Sequence, residues 1–114
     1  MTTTTTPTTK FIAVAAAALF AAASAQAADL AAGKATVEKV CQACHQLDGN
    51  SPAPDFPKLA GQHQDYLAKA LRDYKSGARK NAIMAAFAGA LSKDDIENLA
   101  AYFHVQPAAV STRN

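Results

Sequence analysis

The fold is decided by the stretch Cys41-Gln42-Ala43-Cys44-His45, in which two cysteines three positions apart are followed directly by a histidine. Residues three apart on a helical turn point the same way, so both thiols can reach one porphyrin edge and add across its vinyl groups. This spacing is typical of c-type haem attachment. The neutral imidazole of His45 suits haem iron as a ligand, provided that its other nitrogen has an acceptor. We therefore predict one covalent haem c, bound through Cys41 and Cys44, with His45 on its iron.

Two alternative interpretations of the cysteine pair are weaker. A zinc site needs four tethered ligands, and only His63 and His104 remain to supply nitrogen. A thioredoxin-like redox pair is expected beside a βαβ unit, and no segment of this chain alternates apolar and polar residues convincingly, as a strand would.

The N-terminal residues have the features of a secretory signal. A single lysine precedes an unbroken apolar stretch at 11–23, and Ala25-Gln26-Ala27 then gives the small-x-small pattern that signal peptidase recognises. The apolar stretch is too short to cross a bilayer of roughly 30 Å, so an uncleaved membrane anchor is the weaker alternative. We predict that 1–27 is a cleaved signal peptide and that 28–114 is a single haem domain in the periplasm, without stable membrane insertion.

Composition limits the class of protein further. The chain has 114 residues, half of them hydrophobic, but many of these are alanine and there is no tryptophan. One domain of this size, poor in large apolar side chains, often needs a metal or a covalent staple to fold. The formal net charge of +2 is too close to neutral to indicate nucleic acid as a partner.

Three segments repeat apolar residues at steps of three and four, which predicts an all-α fold. A loop rich in proline and glycine separates the first segment from the second. We expect about three main helices wrapped around the haem, with a short fourth helix after Met84. The first helix begins near Asp29, its N-cap, and includes Cys44. The second runs from about Gln64 to Ser76, with Gly77 as its C-terminal stop. The third starts with a capping box formed by Ser92 and Asp95.

Met84 is the candidate for the second axial ligand of the iron. A methionine in an apolar segment is normally a core residue. Here, however, Met1 leaves with the signal, and Met84 lies between two helical patterns, in a segment that can cross the open haem face. Methionine paired with histidine is a known ligand set of c-type haem. His63 and His104 give the alternative of two histidine ligands, although both suit the surface.

The mature sequence resembles class I monohaem cytochromes c. It looks most like the short bacterial type that also forms each half of the dihaem bacterial cytochromes. Those relatives have two attachment motifs, whereas this chain has one, so it should bind a single haem. The resemblance is carried by the motif at 41–45, by 57–62, 66–67 and 77–79, by Met84, and by 91–103.

This resemblance implies roles for several further residues. Pro57 matches a proline whose carbonyl accepts a hydrogen bond from the proximal histidine, and Leu59 matches a leucine that packs on the haem. Gly33 matches a glycine at the crossing of the first and last helices, where Tyr102 or Phe103 approaches its backbone. Either Arg79 or Asn81 matches a residue that bonds a haem propionate or lies in the pocket near Met84.

With His45 and Met84 on the iron, no site is open for oxygen or substrate, which suits electron transfer and not catalysis. We predict a periplasmic electron carrier, not an enzyme, with redox proteins as partners and no small-molecule substrate. A dehydrogenase or cytochrome complex would be the donor, and an oxidase or reductase the acceptor. The alternatives are a haem-c electron-accepting subunit of a periplasmic dehydrogenase complex, and a haem sensor or peroxidase with a displaceable Met84.

Charge is unevenly distributed along the mature chain. A basic run contains Lys69, Arg72, Lys75, Arg79 and Lys80, with one acidic residue among them. We hypothesise that this run docks an acidic patch on a redox partner, because charge complementarity raises the rate of encounter. The alternative is an ordinary solvated helix face.

The attachment motif predicts that haem stays on the chain after denaturation, because two thioethers hold it. Denaturing electrophoresis with a haem-peroxidase stain should show a band at the mature mass plus one haem. A colourless band from cells with intact cytochrome maturation machinery would contradict the haem interpretation.

Overall fold

The described part of the chain, residues 1–3 and 26–110 of this computed structural model, is built from helices and loops. It contains no strand, which confirms the all-α prediction. Residues 4–25 of the predicted signal peptide, 1–27, lie outside the described residues. The elements are α1 Leu30–Thr36, a π-helical turn Val37–Cys41, α2 Gln42–His45, α3 Gln64–Ser76, α4 Ala82–Gly89 and α5 Lys93–His104.

The first predicted helix is a continuous helical segment, 30–45, with an irregular middle, and we call this segment the helical rod. It begins as expected, because the side chain of Asp29 accepts a hydrogen bond of 3.0 Å from the backbone N–H of Ala32. The π-helical turn Val37–Cys41 then separates α1 from α2, a feature that apolar spacing alone does not predict. Gln46, with a φ of 67°, ends the rod immediately after His45.

The boundaries of α3 and α5 agree with the capping signals. Helix α3 spans Gln64–Ser76, and Gly77 follows it in the left-handed conformation with a φ of 82°. At the start of α5, Ser92 and Asp95 form the predicted capping box. The backbone N–H of Ser92 donates to the Asp95 carboxylate and holds the pKa of that carboxyl below its ordinary value.

The prediction for the fourth helix is wrong about its start. Helix α4 begins at Ala82, so Met84 lies inside its first turn and not before it. The cause is Asn81, whose extended backbone ends the preceding loop and whose side-chain Oδ1 accepts a hydrogen bond of 2.9 Å from the backbone N–H of Met84. Asparagine is among the best N-cap residues.

The core lies where α1 crosses α5, with α3 packed against α5 on a neighbouring face. A Cβ on the buried Gly33 would overlap with the carbonyl oxygen of Asn98 and lie 3.0 Å from Cβ of Tyr102. Of the two aromatic residues expected to approach Gly33, Tyr102 is the one that does so, whereas Phe103 lies against Gly49. The buried core residues are Val37, Leu67, Ala68, Ala88, Leu91, Ile96, Leu99, Ala100, Tyr102 and Phe103.

Substitution of Gly33 by alanine should loosen this crossing. The added methyl group forces α1 away from the α5 backbone, so the free energy of unfolding should fall by about 2 kcal/mol in spite of the better helix propensity. Guanidinium unfolding of the haem-bound protein, followed by circular dichroism, measures this change. The matched control is Gly89→Ala, because a Cβ at Gly89 meets no atom within 4 Å. An equal stability of the two variants would contradict the packing argument.

Candidate functional site

A cleft of about 270 Å³ lies between the helical rod, the loop after it, α3 and α4. All four residues predicted to bind haem line it: Cys41, Cys44, His45 and Met84. The competing histidines, His63 and His104, are exposed and do not line it. The structure therefore brings together residues that are about forty positions apart in the sequence.

His45 is oriented by its backbone surroundings. The residue is 7% exposed, and its Nδ1 lies 2.9 Å from the carbonyl oxygen of Pro57. Because a carbonyl only accepts, Nδ1 must donate, and the imidazole lone pair is then on Nε2. The ring of Phe56 packs edge-on against the imidazole, with 6.3 Å between the centroids. The hydrogen bond that the resemblance implied for Pro57 is present.

The two thiols are partly buried in the wall of the cleft. Cys41 ends the π-helical turn, and Cys44 lies in α2, one turn further along the rod. Burial raises the pKa of the Cys41 thiol to about 11, so a negative sulfur is disfavoured at this position. A thioether sulfur is neutral and has no charge to solvate. The surroundings of Cys41 therefore suit a cysteine that is alkylated by a vinyl group.

Met84 reaches the cleft from a different element. It is half-buried on α4, which packs against α3, whereas His45 is the last residue of α2. A thioether and an imidazole on separate elements lining one apolar cleft form a donor set that haem iron accepts at its two axial positions. The residues that are present thus fit a covalently bound haem.

Arg79 and Asn81 both line the cleft, but they have different structural roles. Asn81 caps α4 through its side chain. The guanidinium carbon of Arg79 lies 4.8 Å from the ring centroid of Tyr74, and its Nη1 donates to the hydroxyl of Tyr66 at 3.4 Å. The hydrogen bond to Tyr66 raises the pKa of Arg79, so the guanidinium remains charged beside the cleft.

Three aromatic residues of the cleft have no functional role that the sequence alone predicts. Tyr66 and Tyr74 belong to the apolar stripe of α3, and this stripe lines the cleft as well as the core. Phe56 directly precedes Pro57 in a loop, where composition gives no packing signal. The spacing of eight residues between the tyrosines is the available signal, since it places both on one helix face.

The basic run makes several contacts within the molecule. Lys69 pairs with Asp73, and Arg72 pairs with Glu97 at 2.7 Å. The ammonium of Lys75 donates to backbone carbonyls, and Arg79 stacks on a tyrosine ring. Two of the five basic residues are therefore paired with carboxylates, and docking of an acidic partner stays a prediction.

The Cys-x-x-Cys-His motif, placed on one apolar cleft of a helical domain, is typical of the class of covalent haem proteins. Residues 30–105 match the family model described as Cytochrome c. The chain belongs to the cytochrome c family. Membership confirms the predicted covalent haem c and supports roles in electron transport and in iron binding.

Similar proteins agree with this assignment. Cytochrome c4 of Pseudomonas aeruginosa is 50% identical over 84 residues, covering 74% of this chain and 41% of its own length. The crystal structure of reduced recombinant cytochrome c4 from Pseudomonas stutzeri superimposes with a TM-score of 0.68 at 46% identity, covering 74% of this chain and 48% of that one. A thiosulfate dehydrogenase electron acceptor of Thiomonas intermedia is 44% identical over 64 residues, covering 55% of this chain and 30% of its own. The chain spans less than half the length of each of these relatives.

Among the residues that the structure describes, no helix is both long and apolar enough to pass through a bilayer.

Proposed function

We propose that this chain is a periplasmic single-electron carrier whose haem is attached through Cys41 and Cys44 and whose iron is ligated by His45 and Met84. The observation that carries the proposal is the cleft that these four residues line together. The similarity to cytochromes c4 supports electron transfer as the function, although those proteins are about twice as long.

The residues of the chain prepare the site for electron exchange in three ways. The carbonyl of Pro57 fixes the ring of His45 and leaves Nε2 as the donor atom. The thioether of Met84, a softer ligand than a second imidazole, would raise the reduction potential of a bound haem. Apolar side chains, among them Leu59 and Leu67, line the cleft and would shield a bound haem from water. When bound, haem c supplies an iron atom that gains and loses one electron.

The carrier would work in the periplasm and exchange electrons with other redox proteins. Removal of 1–27 during export would release 28–114 as the mature haem domain in the periplasm. A dehydrogenase or cytochrome complex would supply electrons there, and an oxidase or reductase would accept them. With His45 and Met84 both holding the iron, no position would be left for a substrate, which suits a carrier and not an enzyme.

A second candidate function is that of an electron-accepting subunit of a periplasmic dehydrogenase. The observation that favours it is the similarity to a thiosulfate dehydrogenase electron acceptor. Purification from native periplasm without disrupting complexes distinguishes the two functions. A free shuttle elutes alone, whereas a subunit elutes with its dehydrogenase through an interface larger than a transient redox contact.

Replacement of Met84 by alanine tests the ligand assignment. The haem should remain covalently bound, while the weak far-red sulfur-to-iron band of the ferric protein disappears and the reduction potential falls. Absorption spectroscopy and potentiometric titration of the purified variant measure both effects. The controls are His63→Ala and His104→Ala, which should leave the band and the potential unchanged. Loss of the band in a histidine variant, with retention in Met84→Ala, would contradict the assignment.

A further inference from the structure

Helix α4, which presents Met84 to the cleft, packs against α3. It has eight residues, of which only Ala88 is buried, at 0% exposed. Ile83, Met84 and Phe87 line the cleft, where a bound haem would cover them. The two ends of α4, where backbone groups have no partners within the helix, need contacts from elsewhere.

The N-terminal end of α4 is capped from within its own segment. Asn81 directly precedes the helix, and its side chain accepts the backbone N–H of Met84 at 2.9 Å. This bond stabilises the helical conformation of the first turn. It does not attach the helix to the rest of the domain, because Asn81 moves with the helix that it caps.

The C-terminal end of α4 is held from another helix. The ammonium of Lys75, on α3, donates to the carbonyl oxygen of Gly89 at 3.1 Å and also to that of Leu91. Gly89 is the last residue of α4, and the carbonyls of a final turn have no partners within their helix. A cation at this end also interacts favourably with the helix dipole. Lys75 therefore connects α3 to the open end of α4.

The other basic residues of α3 have different partners. Lys69 pairs with Asp73 on α3 itself, and Arg72 pairs with Glu97 on α5. Neither of these contacts involves α4. Loss of Lys75 thus removes a link to the Met84 helix, whereas loss of Lys69 removes a similar charge from the same helix and leaves α4 untouched.

We propose that Lys75 is a positioning residue that holds α4, and with it Met84, over the cleft. The inference rests on the proposed ligation by Met84 and extends it to the residue that keeps this ligand in place. Without Lys75, the C-terminal end of α4 separates from α3 more often, and an external ligand competes more successfully with Met84 for the iron.

The test compares Lys75→Leu with Lys69→Leu, both in the ferric haem-bound protein. Imidazole is titrated and its binding is followed in the absorption spectrum. Lys75→Leu should bind imidazole about fivefold more tightly than wild type, a change that matches the loss of charge-assisted bonds to carbonyls. Lys69→Leu should bind it as wild type does. Lys75→Arg keeps a cation and its donors, and should return the affinity to within about twofold of wild type.

Several results would overturn the proposal. These are equal imidazole affinities of Lys75→Leu and wild type, an equal gain in both leucine variants, or an affinity of Lys75→Arg as high as that of Lys75→Leu. A milder variant, Lys75→Gln, should still bind imidazole more tightly than wild type. The far-red sulfur-to-iron band of the wild-type protein separates the two claims. Its absence contradicts ligation by Met84, whereas its presence with unchanged affinities contradicts only the role of Lys75.

Discussion

The hydrogen bond from Nδ1 of His45 to the carbonyl of Pro57 joins the helical rod to the loop on which the cleft depends. The rod ends at Gln46, so this bond fixes the direction in which the last helical turn faces. The same turn carries Cys44, and Cys41 is one turn earlier. Two thiols and an imidazole then line a single cleft, and the crossing of α1 with α5 holds the rod in that position.

The two sides of the cleft, the helical rod with His45 and α4 with Met84, are anchored in different ways. The rod is anchored by the crossing at Gly33, which buries backbone against backbone. Helix α4 buries Ala88, packs against α3 and is bonded at its two ends by Asn81 and Lys75. The two proposed iron ligands, His45 and Met84, therefore lie on elements that are held by different kinds of contact.

Local signals are sufficient to predict much of the fold. Asp29, Gly77 and the Ser92–Asp95 pair are caps that act within one turn, so their residue types predict helix ends directly. The start of α4 is not predicted, although Asn81 is also a local cap, because the apolar run after it favours a segment that crosses the haem face. The partners of Lys75 cannot be predicted, since its bonds to the end of α4 exist only after the helices have packed.

The central claim, that His45 and Met84 are brought to one iron atom, is tested most directly by nuclear magnetic resonance of the reduced haem-bound protein. Labelling of methionine methyl groups gives at most two signals, because the sequence has only Met1 and Met84, and the proposed removal of 1–27 would leave Met84 alone. If Met84 ligates the iron, its methyl protons lie over the porphyrin face and the ring current shifts them upfield of all other signals. The absence of an upfield-shifted methionine methyl signal from the reduced protein would contradict the account.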